Sequence, residues 1–190
     1  MTIGEIRRLQ QCATPDGKLV ILAVDHRGNL RRALNPRDPD AVSDEELVAF
    51  KRDVVAALAP AASAVLLDPE YGVEQNITAG TLPGACGLIV ALERTGYGGD
   101  PAARVTELVP GWDPHRAARM GASGAKLLVY YHPEAPTASQ TESLVRHTAA
   151  ACAEAEIPLF LEPLSYSPDP ARPTATPLAP ARVAATTCRR

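Results

Sequence analysis

The sequence predicts an α/β protein built on a parallel sheet, and three observations carry that expectation. Short apolar runs alternate with stretches of helical periodicity over most of the chain. The runs are continuously apolar rather than alternating, as expected for strands covered on both faces. Four of them close on a carboxylate (Asp25, Asp68, Glu93 and Glu162), so acidic groups collect where strands end. A (β/α)8 barrel turns all its strand ends to one face, where active sites are assembled. A doubly wound open sheet shares the alternation, and periodicity alone does not separate the two.

The elements follow in order. Residues 2–12 read as an amphipathic helix with Ile3, Ile6 and Leu9 on one face, and Pro15-Asp16-Gly17 as a turn. Lys18–Asp25 is the first strand, with His26-Arg27-Gly28-Asn29 as the loop at its end and a short helix over Leu30–Leu34. Ser43 followed by Glu46 has the form of a capping box. It opens a helix with Leu47, Phe50, Val54, Val55 and Leu58 at helical spacing, which Pro60 ends. The second strand is Ser63–Asp68 and the third is Gly87–Glu93, with a weakly helical stretch between them. The loop Arg94–Gly99 is rich in glycine but lacks the spacing of a phosphate-binding fingerprint. A short extended piece is expected over Val105–Val109, then a helix over Pro114–Met120 with Asp113 as its N-cap. Gly124–Pro133 holds the fourth strand, Ser139–Glu154 a helix with Leu144, Val145, Thr148 and Cys152 inward, and Pro158–Glu162 the fifth strand.

From Ser167 to Arg190 the composition changes to five prolines with scattered Ala, Thr and Arg, and no glycine or aromatic residue. The expected organisation is therefore residues 1–166 as the N-terminal part of a barrel, and 167–190 as a disordered or frameshifted tail. A barrel typically needs about 250 residues, and about five strand–helix units are visible, so an incomplete barrel is expected.

Composition narrows the function classes. A formal net charge of -3 on 190 residues carries no footprint of nucleic acid or anionic membrane as partner. No apolar run approaches the roughly 18 residues of a membrane span, and the N-terminus lacks a signal-peptide core, so a cytoplasmic location is expected. Cys12, Cys86, Cys152 and Cys188 form no CxxC pair and read as buried or idle thiols.

The chemistry centres on Lys126, because only Lys18 and Lys51 offer another amine and Lys126 alone lies inside a buried apolar run. Buried cations need a reason. Lys126 could act as a Schiff-base nucleophile, or as a proton donor and charge stabiliser. Glu162, ending the neighbouring strand, could share proton transfer with it. Asp25 could bind a substrate hydroxyl or act as an acid/base group, Arg27 could clamp a carboxylate or phosphate, and Asp68 could contact substrate as well. Asp25, Glu93, Glu162 and His132 include metal-donor types, but their spacing matches no metal motif, so neither a metal nor another cofactor is expected.

Five segments carry a resemblance to a known family: Leu22–Gly28 (LAVDHRG), Ala64–Gly72 (AVLLDPEYG), Glu93–Tyr97 (ERTGY), Gly124–Tyr131 (GAKLLVYY) and Phe160–Leu164 (FLEPL). In order and spacing these resemble the tagatose 1,6-bisphosphate aldolases and the related sulfofructose-phosphate aldolases. The resemblance covers about residues 1–166. It implies a (β/α)8 barrel and class I, metal-independent retro-aldol cleavage of a ketose bisphosphate to dihydroxyacetone phosphate and glyceraldehyde 3-phosphate. It also implies that Asp25 contacts substrate hydroxyls, Lys126 assists proton transfer and charge stabilisation, and Glu162 does acid/base work. The family's Schiff-base lysine and phosphate-binding loops lie on later strands than those matched, and the tail from Ser167 contains no lysine. The chain alone is therefore expected to be inactive, with open strand edges that invite aggregation or pairing with another chain, a second copy included.

Two other readings compete. In one, Lys126 itself forms the Schiff base of a shorter aldolase or decarboxylase. In the other, the chain is a non-catalytic partial barrel that binds a sugar phosphate or a partner chain.

Overall fold

The computed structural model describes residues 1–169, so the expectation for the tail lies almost wholly outside the described residues. Five parallel strands form the main sheet: β1 (Ile21–Val24), β2 (Ala64–Leu67), β3 (Gly87–Ala91), β6 (Gly124–Tyr131) and β7 (Leu159–Ser165). Their spatial order, β1-β2-β3-β6-β7, is also their order in the chain. A doubly wound sheet reverses direction at a switch point. Here every crossover moves the same way, which is the winding of a barrel. The structure thus resolves the alternative that periodicity left open, and the five strands form part of a (β/α)8-type barrel.

Burial explains the apolar runs of β2, β3 and the first half of β6. In contrast, β1, with only Val24 buried, and β7, with no residue buried, are the edges of the sheet and are not covered on both faces as their runs suggested. All five residues of β3 are buried at the centre of the sheet. Val65, Leu67, Val90 and Ala125 join Val55, Ala117 and Cys152 in the core between strands and outer helices. The helices are α1 (Ile3–Gln11), α2 (Gly28–Leu34), α3 (Asp44–Leu58), α4 (Val73–Thr78), α5 (Pro114–Arg119) and α6 (Ala138–Glu154). The caps form as expected, with Ser43 and Glu46 bonding reciprocally at the start of α3 and Asp113 accepting from Arg116 N–H at α5. A second capping box, Thr2 with Glu5, starts α1. That helix buries none of its residues, and Ile3 stays 81% exposed, unlike the inward face its spacing suggested.

Two further differences have physical reasons. An antiparallel hairpin, β4 (Gly98–Asp100) with β5 (Ala103–Val105), occupies the loop after β3. Its glycines carry no strand propensity, but Gly99 adopts a left-handed φ of 80° that suits the hairpin. Arg104 from this hairpin lies 4.4 Å from the Tyr97 ring centroid, 5.3 Å from that of Tyr130 and 4.8 Å from that of Tyr166, which ties the hairpin to the strand ends. The last strand also runs on through Pro163 instead of stopping at Glu162. Ala125 N–H donates to Pro158 O, so residues at even positions of β7 turn their backbone toward β6 and odd positions turn it away. The N–H that Pro163 lacks is therefore on the side away from β6, and no ladder bond is lost.

Candidate functional site

The parallel sheet turns the C-terminal ends of β1, β3, β6 and β7 toward one cavity of about 300 Å³. Asp25, Arg27, Glu93, Lys126, Leu128, Tyr130 and Glu162 are among its lining residues. Lys126 stands at its centre. The register pairs Lys126 with Ala91, the last residue of β3, and with Phe160 of β7, so the lysine lies between the strand that leads to Glu93 and the strand that carries Glu162.

Three carboxylates close on its ammonium. Lys126 Nζ is 2.6 Å from Glu93 Oε1, 3.0 Å from Asp25 Oδ2 and 3.1 Å from Glu162 Oε2. They differ in exposure, with Glu93 at 6%, Asp25 at 14% and Glu162 at 51%. Glu93 is the anchor, since its other oxygen accepts the N–H of Leu128 at 3.0 Å. Glu162 is the member nearest solvent. Burial alone would lower the Lys126 pKa, but Glu93 and Asp25 outweigh it and hold it well above the ordinary lysine value. Lys126 is therefore an ammonium across the neutral range, suited to stabilising negative charge and unsuited to acting as a free amine nucleophile.

Arg27 is almost fully buried at the rim of the same cavity. Its Nη1 donates to Glu70 Oε2 and its Nη2 to the Glu93 carbonyl, both at 2.6 Å. The structure does not bring Asp68 to the cavity. It is fully buried, its Oδ1 takes the ammonium of Lys51, and its Oδ2 accepts the N–H groups of Glu70 and Tyr71 at 3.1 and 2.8 Å. Sealed from solvent and not among the cavity's lining residues, this carboxylate does not meet a substrate there. His132 lies edge-on to Tyr166, apart from the acids around Lys126. Sequence reasoning placed Asp25, Arg27, Lys126 and Glu162 in the site. It read Glu93 as a strand-end acid and a metal-donor type but not as a partner of Lys126, and it gave Lys51 no role.

The DeoC/LacD family aldolase model matches residues 19–185, and the chain belongs to that family. Among its curated relatives, tagatose 1,6-diphosphate aldolase 2 of Enterococcus faecalis is 33% identical over 87% of this chain and 50% of its own length. Tagatose 1,6-diphosphate aldolase of Streptococcus agalactiae is 31% identical over 87% of this chain and 51% of its own. The chain thus spans about half the length of the curated relatives it matches.

Solved structures agree on the fold. A Corynebacterium glutamicum protein, Cgl0159, superposes with a TM-score of 0.61 at 22% identity, over 86% of this chain and 55% of that one. An archaeal fructose-1,6-bisphosphate aldolase, solved with its catalytic lysine bound to the carbinolamine intermediate, gives 0.50 at 19% identity over 83% and 56%. Among the described residues, no helix is long and apolar enough to cross a membrane.

Proposed function

We propose that the chain supplies the Asp25–Lys126–Glu162 part of a class I aldolase site that cleaves tagatose 1,6-bisphosphate or a closely related ketose bisphosphate. The observation that carries this reading is the ammonium of Lys126 held among Glu93, Asp25 and Glu162 at the cavity floor. In retro-aldol cleavage the hydroxyl on the carbon that becomes the aldehyde gives up a proton as the adjacent C–C bond breaks. The bond electrons move toward an electrophilic carbon, and charge develops on oxygen along the way. A half-exposed carboxylate such as Glu162 can take the proton, and a neighbouring fixed ammonium stabilises the oxygen. Asp25 is placed to accept hydrogen bonds from substrate hydroxyls.

The three carboxylates around Lys126 can accept hydrogen bonds from substrate hydroxyls, in a cavity whose lining also carries Arg27 and Arg94. The electrophilic imine of a class I reaction needs a neutral amine, and Lys126 does not provide one. Lys51 is sealed in the interior, and Lys18 is exposed on the turn before β1, paired with Asp16 at 2.6 Å. The family this chain resembles carries its Schiff-base lysine on a later strand than those matched, and on this reading the role lies there rather than with Lys126.

Borohydride trapping with dihydroxyacetone phosphate, read by intact mass, tests this. The folded chain is expected to show no covalent adduct. Dihydroxyacetone phosphate is still expected to raise the thermal midpoint, through binding to the folded state. An adduct that peptide mapping places on Lys126 would overturn the role given to that residue. Absence of any ligand-induced stabilisation would overturn the site.

A further inference from the structure

Beneath the site lies a second ion pair that neither the aldolase chemistry nor the packing explains. Lys51, in the second turn of α3, and Asp68, just after β2, are both fully buried and paired with each other. Among the described residues Lys51 is the largest that is sealed completely from solvent. It lies on one stripe with Leu47 and Val55, four residues away on either side and equally buried. Burying two charges costs several kcal/mol per ion before their attraction is counted, and apolar residues of similar volume often replace such pairs with no loss. Stability therefore gives no reason for charge at this position, whereas geometry does.

Both partners reach the site by short routes. Lys51 Nζ also donates to Val24 O at 2.8 Å, fixing the last carbonyl of β1 directly before Asp25. Through Oδ2, Asp68 holds the N–H groups of Glu70 and Tyr71 and so folds the loop that presents Glu70. Glu70 grips Arg27 Nη1, and Arg27 Nη2 grips the Glu93 carbonyl. The Nε of Arg27 is buried with no hydrogen-bond partner, so only these two terminal contacts orient the guanidinium. Polar contacts thus run from Asp68 through Glu70 and Arg27 to Glu93, and from Lys51 to the carbonyl joined to Asp25, and Glu93 and Asp25 are partners of Lys126.

We propose that Lys51 and Asp68 are positioning residues that set the orientation of Asp25 and Arg27 in the site. They act through the Val24 carbonyl and through Glu70, without touching substrate. The functional meaning of the site rests on the aldolase reading, but the geometric coupling does not, and it is tested without ligand or turnover.

The test is NMR of the full chain labelled with 15N at lysine and arginine, following the Lys126 Nζ and Arg27 Nε–H resonances. With only three lysines in the sequence, the lysine signals are assignable by single substitution. The variant is the double substitution Lys51→Met with Asp68→Leu, which removes both charges and leaves neither partner buried alone. A folded double variant in which the Arg27 and Lys126 resonances shift or disappear supports the proposal. A folded double variant with both resonances unmoved overturns it, because the pair would then be structural only. If the double variant does not fold, Lys51→Gln with Asp68→Asn decides, since it removes both charges with little change of volume. Shifted Arg27 and Lys126 resonances then support the proposal, and unmoved ones overturn it.

Discussion

Removing one carboxylate at a time from Lys126 should cost stability in the order of their burial. The perturbations are Glu93→Gln and Glu162→Gln, with Lys126→Met as the reference. Glu93 loses a charge-assisted contact of 2.6 Å to Lys126 and weakens its 3.0 Å hold on Leu128 N–H, both in a dry setting. Hydrogen bonds to charged groups contribute about 1.5–3 kcal/mol, and Lys126 keeps Asp25 and Glu162 as counter-charges. Glu93→Gln should therefore cost about 2 kcal/mol, short of the roughly 3–5 kcal/mol seen when a buried charge is left alone. Lys126→Met should reach that larger range, since it strands Glu93 and Asp25 with no cation. Glu162 is half-exposed, so Glu162→Gln should stay within about 1 kcal/mol. Urea unfolding read by fluorescence suits the comparison, because Trp112 is the sole tryptophan and sits in the core. The reasoning is refuted if Glu162→Gln costs as much as Glu93→Gln, or if Lys126→Met proves neutral.

Three other outcomes follow from the same contacts. The Lys126 pKa is raised in the folded state, so its contribution is full below the ordinary lysine pKa of about 10.4 and is lost as pH climbs through the higher folded value. Unfolding free energy measured from pH 9 upward (roughly the last unit below that ordinary pKa) should fall more steeply in the native chain than in Lys126→Met, and parallel curves would refute the linkage. Burial pushes the thiol pKa of Cys12 up to about 11 and that of Cys152 up to about 12. Native-state alkylation near neutral pH, mapped by peptide mass, should therefore spare both, and rates equal to those in urea would be inconsistent with their burial. A methyl group on Gly87 would lie 2.7 Å from the Gln11 carbonyl oxygen and 2.9 Å from Cys12 Cα. Those atoms are backbone and cannot swing aside, so Gly87→Ala should cost about 1–3 kcal/mol, and an unchanged thermal midpoint would count against the packing described.

What the sequence disclosed, and what it withheld, follows from the range over which each interaction acts. The strands were legible because β2, β3 and β6 are buried on both faces and must be continuously apolar. The Ser43–Glu46 cap was legible because both partners lie within one turn. Lys126 stood out as a charge in a run where every neighbour is apolar or aromatic. Its strongest partner, Glu93, lies 33 residues away and meets it only through the β3–β6 register, which no local pattern encodes. Asp68 read as a site acid because it ends a strand as Asp25 does, yet their neighbours send them opposite ways. Asp25 turns into the cavity, whereas Asp68 turns inward to meet a lysine from α3.

That lysine left a local signal after all. The spacing of α3 nominated Leu47, Phe50, Val54, Val55 and Leu58 as its inner face, yet Phe50 and Leu58 are 39% and 51% exposed. The buried stripe is Leu47, Lys51 and Val55 at intervals of four, so a charge lies on the line joining two apolar core positions. A hydrophobicity pattern skips such a residue because it scores charge as surface. The same pattern read for its exception points to a buried cation that must find an anion nearby. Among the described residues the buried carboxylates are Asp68 and Glu93, both following strands, and the partner is Asp68. Strand-end carboxylates in such a sheet therefore divide into those that face the cavity and those that a helix lysine draws inward. Locating inward-facing charges on the helices is the way to tell them apart from sequence.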